Sequence, residues 1–135
     1  MRITICGSMS FARDMLDVPE KLKSIGHNPI VPLSTEVYLK KTVQKGDDVD
    51  LKRRLNVFSD HYNKIKKADA ILVLNYDKNG IKGYIGANSF LEMGFAYVLN
   101  KKIFLLMELP DQKYISDEVL ALSPIVLKGD LNLIL

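Results

Sequence analysis

Residues 68–74 read Ala68-Asp69-Ala70-Ile71-Leu72-Val73-Leu74, an apolar run broken only at Asp69 near its start. Such a run is too short to cross a membrane and shows neither the alternation of a half-exposed strand nor the spacing of an amphipathic helix. It marks a central strand of a parallel sheet covered on both faces. On either side the chain alternates strand-like and helix-like segments. Upstream, Arg2–Cys6 reads as a buried strand ending at Gly7-Ser8. Phe11–Ile25 reads as a helix with Phe11, Met15, Leu16, Leu22 and Ile25 on its inner side, stopped by Gly26. Pro29–Pro32 is a second strand, and Ser34–Asp48 a polar loop. Val49–Lys67 is a helix whose apolar stripe is Leu51, Leu55, Phe58, Tyr62 and Ile65. Downstream come a long loop from Asn75 to Ala87, a helix over Asn88–Leu99, a strand over Lys102–Met107, a short helix over Ser116–Leu122 and a last strand, Ile125–Leu127. This order predicts an α/β fold: a three-layer α/β/α sandwich on a five-stranded parallel sheet, flavodoxin-like or Rossmann-like. All 135 residues are expected to form one domain.

Composition narrows the classes of function. Apolar residues make up 47% of the chain and charged residues 26%, ordinary for a globular domain with its own core. The net charge of +3, from 19 basic and 16 acidic residues, is too balanced to imply a nucleic-acid polymer or a membrane surface as partner. Cys6 is the single cysteine, which excludes an internal disulfide and a cysteine metal cage. His27 and His61 have no paired-ligand spacing, so no metal and no cofactor are expected. The opening residues carry no signal-peptide pattern and no apolar run has membrane length, so a cytoplasmic location is expected.

Ligands of doubly wound folds bind outside the carboxyl ends of the strands. Those ends place Gly7-Ser8-Met9-Ser10, Ser34-Thr35, Asn75-Tyr76-Asp77 and Glu108 together, and the helix opening near Asn88 faces the same crevice. Asp69 lies at the other end of its strand. The turn Gly7-Ser8-Met9-Ser10 can hold an anion on backbone N–H groups and a helix N-terminus, or Ser10 can simply cap the helix. It is neither a dinucleotide fingerprint nor a Walker loop. Arg13 either reaches an anionic ligand or is solvated. The run Asp77-Lys78-Asn79-Gly80 makes a good turn, and Gly80, Gly83, Gly86 and Tyr84 point to a close-approach loop or a lid.

Glu92 stands out because its helix, Phe90-Leu91-Glu92-Met93-Gly94-Phe95-Ala96, is apolar nearly all round. Two readings remain open. Ser89 and Glu92 have capping-box spacing. Alternatively, Glu92 is a first-turn carboxylate facing the crevice, ionised by the helix dipole and competent as a nucleophile toward a sugar carbon. Asp60, His61 and Tyr62 lie on the preceding helix, where one of them can face the same crevice.

Taken together, these segments resemble the nucleoside 2-deoxyribosyltransferase superfamily, including the 2′-deoxynucleoside 5′-monophosphate N-glycosidases. The matching pieces are Ile5-Cys6-Gly7-Ser8-Met9 with Arg13 six residues after Gly7, the 68–74 strand, and Glu92-Met93-Gly94-Phe95-Ala96 followed by Lys101-Lys102-Ile103. The resemblance implies that Glu92 attacks C1′ of a deoxyribosyl group and that Gly7 and Ser8 line the sugar or phosphate pocket. It further implies a small-molecule nucleoside or nucleotide as ligand and sets Ser116, at the start of the last helix, where the N-glycosidases have a phosphate-binding serine; the strand ends and helix starts gather Ser10, Arg13, Tyr76 and Asn88 at the same crevice. It also implies a homodimer or larger homo-oligomer, for which the apolar tail Asn132-Leu-Ile-Leu135 is suited. The chain departs from the family where an acidic residue is expected: His61 stands there, with Asp60 beside it. Ser10 stands where the N-glycosidases have an arginine. The alternative on the same scaffold is a nucleotide-binding or sensor module without catalysis.

Overall fold

The computed structural model describes residues 1–8, 11, 13–32, 49–50, 53 and 56–135. Its elements are β1 (Arg2–Gly7), α1 (Asp14–Ser24), β2 (Asn28–Ile30), α2 (Val57–Lys67), β3 (Ala70–Leu74), α3 (Ala87–Val98), β4 (Lys102–Leu105), α4 (Ser116–Ala121) and β5 (Ile125–Val126), with a 3₁₀ turn at Leu131–Leu133. The five strands are parallel, in the order β2-β1-β3-β4-β5. The chain winds outward from β1 to β2, then crosses back to β3 on the other side of β1. The switch point therefore lies between β1 and β3, which pair from Ile3↔Ala70 to Gly7↔Leu74.

β3 is buried along its whole length, as its continuous apolar sequence requires. Side chains alternate between two cores. Ile3, Ile5, Ala70, Leu72 and Leu74 face α1, where they meet Met15, Val18 and Leu22. Cys6, Ile71 and Val73 face the other helices, among Ile65, Met93, Ala96 and Val119. Thr4, on the same face as Cys6, donates its hydroxyl to the Lys64 carbonyl at 3.1 Å and so ties β1 to the end of α2. At the far end of the sheet Asp69 accepts the Arg2 N–H at 2.8 Å, which holds its exposed carboxyl below the usual range.

Two helices depart from their sequence reading. The expected helix over Val49–Lys67 is broken at Asn56, whose φ of 49° is left-handed. Asparagine tolerates that conformation better than most residues, and α2 starts afresh after it. The break resets the buried face to Val57, His61 and Ile65, while Phe58 and Tyr62 are exposed. Leu51 and Leu55 fall outside the described residues. The first helix begins at Asp14, so Phe11 is not part of it; Phe11 packs edge-on against Tyr76 instead. Leu16 and Ile25 are exposed, and Gly26 ends the helix at φ 93° as expected. The apolar tail divides: Ile134 enters the α1-side core, while Leu133 and Leu135 stay exposed. Among the described residues no helix is long and apolar enough to cross a membrane.

Candidate functional site

The α2 break and the start of α3 together set the chemistry at the switch point. α3 begins at Ala87 after Gly86, and no side chain caps it. Ser89 and Glu92 are therefore both inside the helix, and the capping-box reading does not hold. Glu92 is in the second turn rather than the first. The dipole effect fades beyond the first turn, so the expected dipole assistance is not available to it. What it has instead is His61. The carboxylate Oε1 lies 2.8 Å from His61 Nδ1, with both side chains buried. With the carboxylate accepting, Nδ1 carries the hydrogen and Nε2 is the imidazole's second face.

Two atoms of this pair are left over. His61 Nε2 and Glu92 Oε2 are buried and have no hydrogen-bond partner among the described residues. Buried polar atoms without partners are uncommon in folded proteins and point to a site where a ligand completes the bonding. Cys6, at the end of β1, closes the same group. Its thiol is pushed well above its ordinary value, first by burial and then by the Glu92 carboxylate beside it. Cys6 is thus held as a neutral thiol against Glu92.

The other residues singled out in the sequence are distributed as follows. Asp60 does not join His61: its Oδ2 pairs with Lys64 Nζ at 3.0 Å, one turn along and partly exposed. Gly7 packs so closely that a Cβ there would stand 2.8 Å from Met15 Cε and 3.3 Å from Leu74 Cβ, which accounts for glycine at the strand end. Ser8 follows it at the crevice and receives the Lys78 ammonium at 3.4 Å. Tyr76 is half-buried on the α1 side; burial and the Asp14 and Asp17 carboxylates raise its phenol pKa, so it stays a donor. Arg13 is exposed just before α1, and Asn88 is half-buried in the first turn of α3. Ser116 is tied up locally: its oxygen accepts the Gln112 N–H, and its hydroxyl lies 2.6 Å from the Gln112 carbonyl and 3.1 Å from that of Pro110. Ser10 lies outside the described residues. Among those residues no group of three His, Cys, Asp or Glu side chains is placed to hold a metal ion.

The loop from Asn75 to Gly86 is fastened rather than hinged. Buried Asn75 donates to the Glu108 carbonyl at 2.6 Å and accepts the Met107 N–H at 2.8 Å. Gln112 exchanges two bonds with the backbone of Ile85, at 2.7 and 3.0 Å, and Asp77 accepts the Gly83 N–H at 2.9 Å. The sequence places Asn75 at the strand end without this fastening role, for which a polar residue directly after an all-apolar strand is the signal, and gives no sign of Gln112. Gly83 sits at φ 63°, and a Cβ on it would stand 2.7 Å from the Glu108 carbonyl oxygen. Gly83→Ala is expected to lower stability by about 2 kcal/mol or more, through left-handed strain plus the backbone clash. Urea denaturation measures it; an unchanged midpoint would show that the two loops part freely.

No protein-family model and no curated protein sequence matches the chain. Solved structures do. The CMP N-glycosidase of Clostridium botulinum superposes with a TM-score of 0.52 at 15% identity, over 93% of this chain and 85% of that one. A 2-deoxyribosyltransferase from Bacillus psychrosaccharolyticus superposes with a TM-score of 0.51 at 22% identity, over 78% of this chain and 71% of that one. The chain therefore has the fold found in these two enzymes, the fold its sequence resemblance implied.

Proposed function

We propose that this chain is a member of the nucleoside 2-deoxyribosyltransferase superfamily and cleaves or transfers the N-glycosidic bond of a (deoxy)nucleoside or nucleotide, with Glu92 as the nucleophile. The observation that carries the reading is the buried carboxylate at the switch point, one oxygen held by His61 and the other without a partner. The shared fold supports it, since both neighbours act at a glycosyl bond.

In this reading Oε2 attacks C1′. The C1′–N bond breaks, its electron pair leaves with the base, and the base nitrogen takes up a proton. The resulting glycosyl ester of Glu92 is opened at C1′ by water or by a second base, which regenerates the carboxylate. His61 keeps Oε1 engaged through Nδ1–H and so fixes which oxygen is free. When water is the acceptor, Nε2, the ring nitrogen not engaged by Glu92, is the atom of His61 left to take its proton. Gly7 and Ser8 line the sugar side of the crevice. The proposal includes a cytoplasmic setting and a homo-oligomer. Exposed apolar residues suited to the latter stand on α2 and α3: Phe58, Tyr62, Leu91 and Val98, with the Tyr62 ring edge to face at 5.5 Å on half-buried Phe95.

The test is incubation of the purified protein with deoxynucleosides, ribonucleosides and their 5′-monophosphates, with and without a free acceptor base, followed by chromatography. Release or exchange of base is the expected result. Tight binding across the panel with no base released would replace the enzyme with a nucleotide-binding module.

A further inference from the structure

The tip of the loop between β3 and α3 is a two-residue hairpin. The Lys78 N–H donates to the Ile81 carbonyl at 3.0 Å, and the Ile81 N–H returns the bond at 2.9 Å. Between them Asn79 and Gly80 have φ 52° and 76°, the pair of left-handed residues that the tightest hairpins require. The rest of the loop is fastened to the crevice wall through Asn75, Asp77 and Gln112. The Lys78 ammonium is held as well, with Nζ 5.0 Å from the centroid of the Tyr84 ring and 3.4 Å from Ser8 Oγ. The two tip residues are the exception. Both are exposed, and neither the Asn79 amide nor the Gly80 N–H has a hydrogen-bond partner among the described residues.

An electrophile and a nucleophile thus stand side by side, unengaged and in water. Asn79 Cγ and the Gly80 nitrogen close a five-membered ring when they join. A side chain on the following residue ordinarily crowds that nitrogen, but glycine has none and its backbone turns freely. Asn79 is the one asparagine of the chain that glycine follows. Asn100 is the natural contrast: it too is exposed and left-handed, at φ 56°, but Lys101 follows it.

We propose that Asn79 is a site of spontaneous deamidation, and that the isoaspartyl product frees Lys78 from its fixed place on the crevice wall. The Gly80 nitrogen gives up its proton and bonds to Asn79 Cγ. The Cγ–Nδ2 bond breaks, and the amide nitrogen leaves as ammonia with that proton. Water then opens the succinimide. Cleavage of the new bond to Cγ leaves aspartate; cleavage of the original peptide bond leaves isoaspartate, whose main chain runs through Cβ and Cγ. Nothing is oxidised or reduced, and water is the only other reactant. Either product places a negative charge one residue from Lys78. The isoaspartyl product also adds a main-chain atom between Lys78 and Ile81. A two-residue loop has no slack to absorb it, so the reciprocal Lys78–Ile81 bonds open. Lys78 then loses the backbone anchor that aims it at Tyr84 and Ser8. The step needs no substrate and proceeds whatever reaction the crevice performs.

The folded protein is aged in mildly alkaline and mildly acidic buffer, and tryptic peptides are followed by mass and by labelling with an isoaspartyl methyltransferase. Asn79–Lys82 is released as a peptide with one side-chain amide, so the assignment is direct. Beyond the unaged control, it is expected to gain one mass unit and become a methyl acceptor, faster in alkali. Its rate should exceed that of the Asn100 peptide at least about 10-fold, the advantage of glycine after the asparagine. Asn79→Ser, shown to be folded by a thermal melt, should lose this signal and keep all others. The isoaspartyl fraction, separated by ion exchange, should exchange its Ile81 amide hydrogen at least about 10-fold faster than fresh protein. An Asn79 peptide that ages no faster than that of Asn100 would overturn the site. An Ile81 amide as protected in the isoaspartyl fraction as in fresh protein would overturn the release of Lys78.

Discussion

Glu92→Gln is expected to lose turnover by at least about 10³-fold while retaining the fold. The amide keeps the shape of the carboxyl group but lacks the charge and basicity that attack at C1′ needs. Structure should survive because the buried side chain keeps its volume, and an amide oxygen at the Oε1 position still accepts from His61 Nδ1–H. The decisive measurement is base release in a single turnover, beside a thermal melt to show that the variant is folded. Substantial turnover in folded Glu92→Gln would exclude Glu92 as nucleophile. Glu92→Ala makes a weaker test, because it also opens a cavity beside Met93 and Cys6.

His61→Leu is expected to cost roughly 3–5 kcal/mol of stability, the second large effect. It leaves the Glu92 carboxyl buried without its hydrogen-bond donor, in a core lined by Ile65, Ile71, Val73 and Met93. The double variant His61→Leu/Glu92→Leu should regain much of that loss, since removing both members leaves no unpaired polar group. Urea denaturation of the wild type, the two single variants and the double variant closes a mutant cycle. A coupling energy near zero would mean that the 2.8 Å contact contributes nothing to the fold.

The contrast between Glu92 and His61 shows how far the chain could be read without its coordinates. Glu92 was conspicuous because a carboxylate in an apolar helix is expensive unless it has a use or a partner, and that argument needs only the neighbouring residues. Its environment was not legible. Capping-box spacing at Ser89 and Glu92 is the same string whether the cap position is Ser89 or, three residues earlier, Gly86, and only the helix start separates the two. His61 was harder. It stands beside Asp60 in the sequence, and nothing local distinguishes the two. The Asn56 break turned α2 so that Val57, His61 and Ile65 face inward, leaving Asp60 to Lys64. A helix read as continuous from Val49 puts Phe58 and Tyr62 inside instead, and those two now form part of an exposed apolar surface.

The sequence by itself determined the class of fold, the strand that lies at its centre and the crevice at which its polar turns gather. These follow from hydrophobic period and element order, which are local properties that any window of the chain carries. Only the tertiary structure decided which side chains meet there. The His61–Glu92 pair, Cys6 beside it, Asn75 joining two loops and Lys78 reaching Ser8 all link residues distant along the chain. Each depends on a helix phase or a loop path set by packing, and a one-residue shift in phase turns a helical side chain by about 100° to another face.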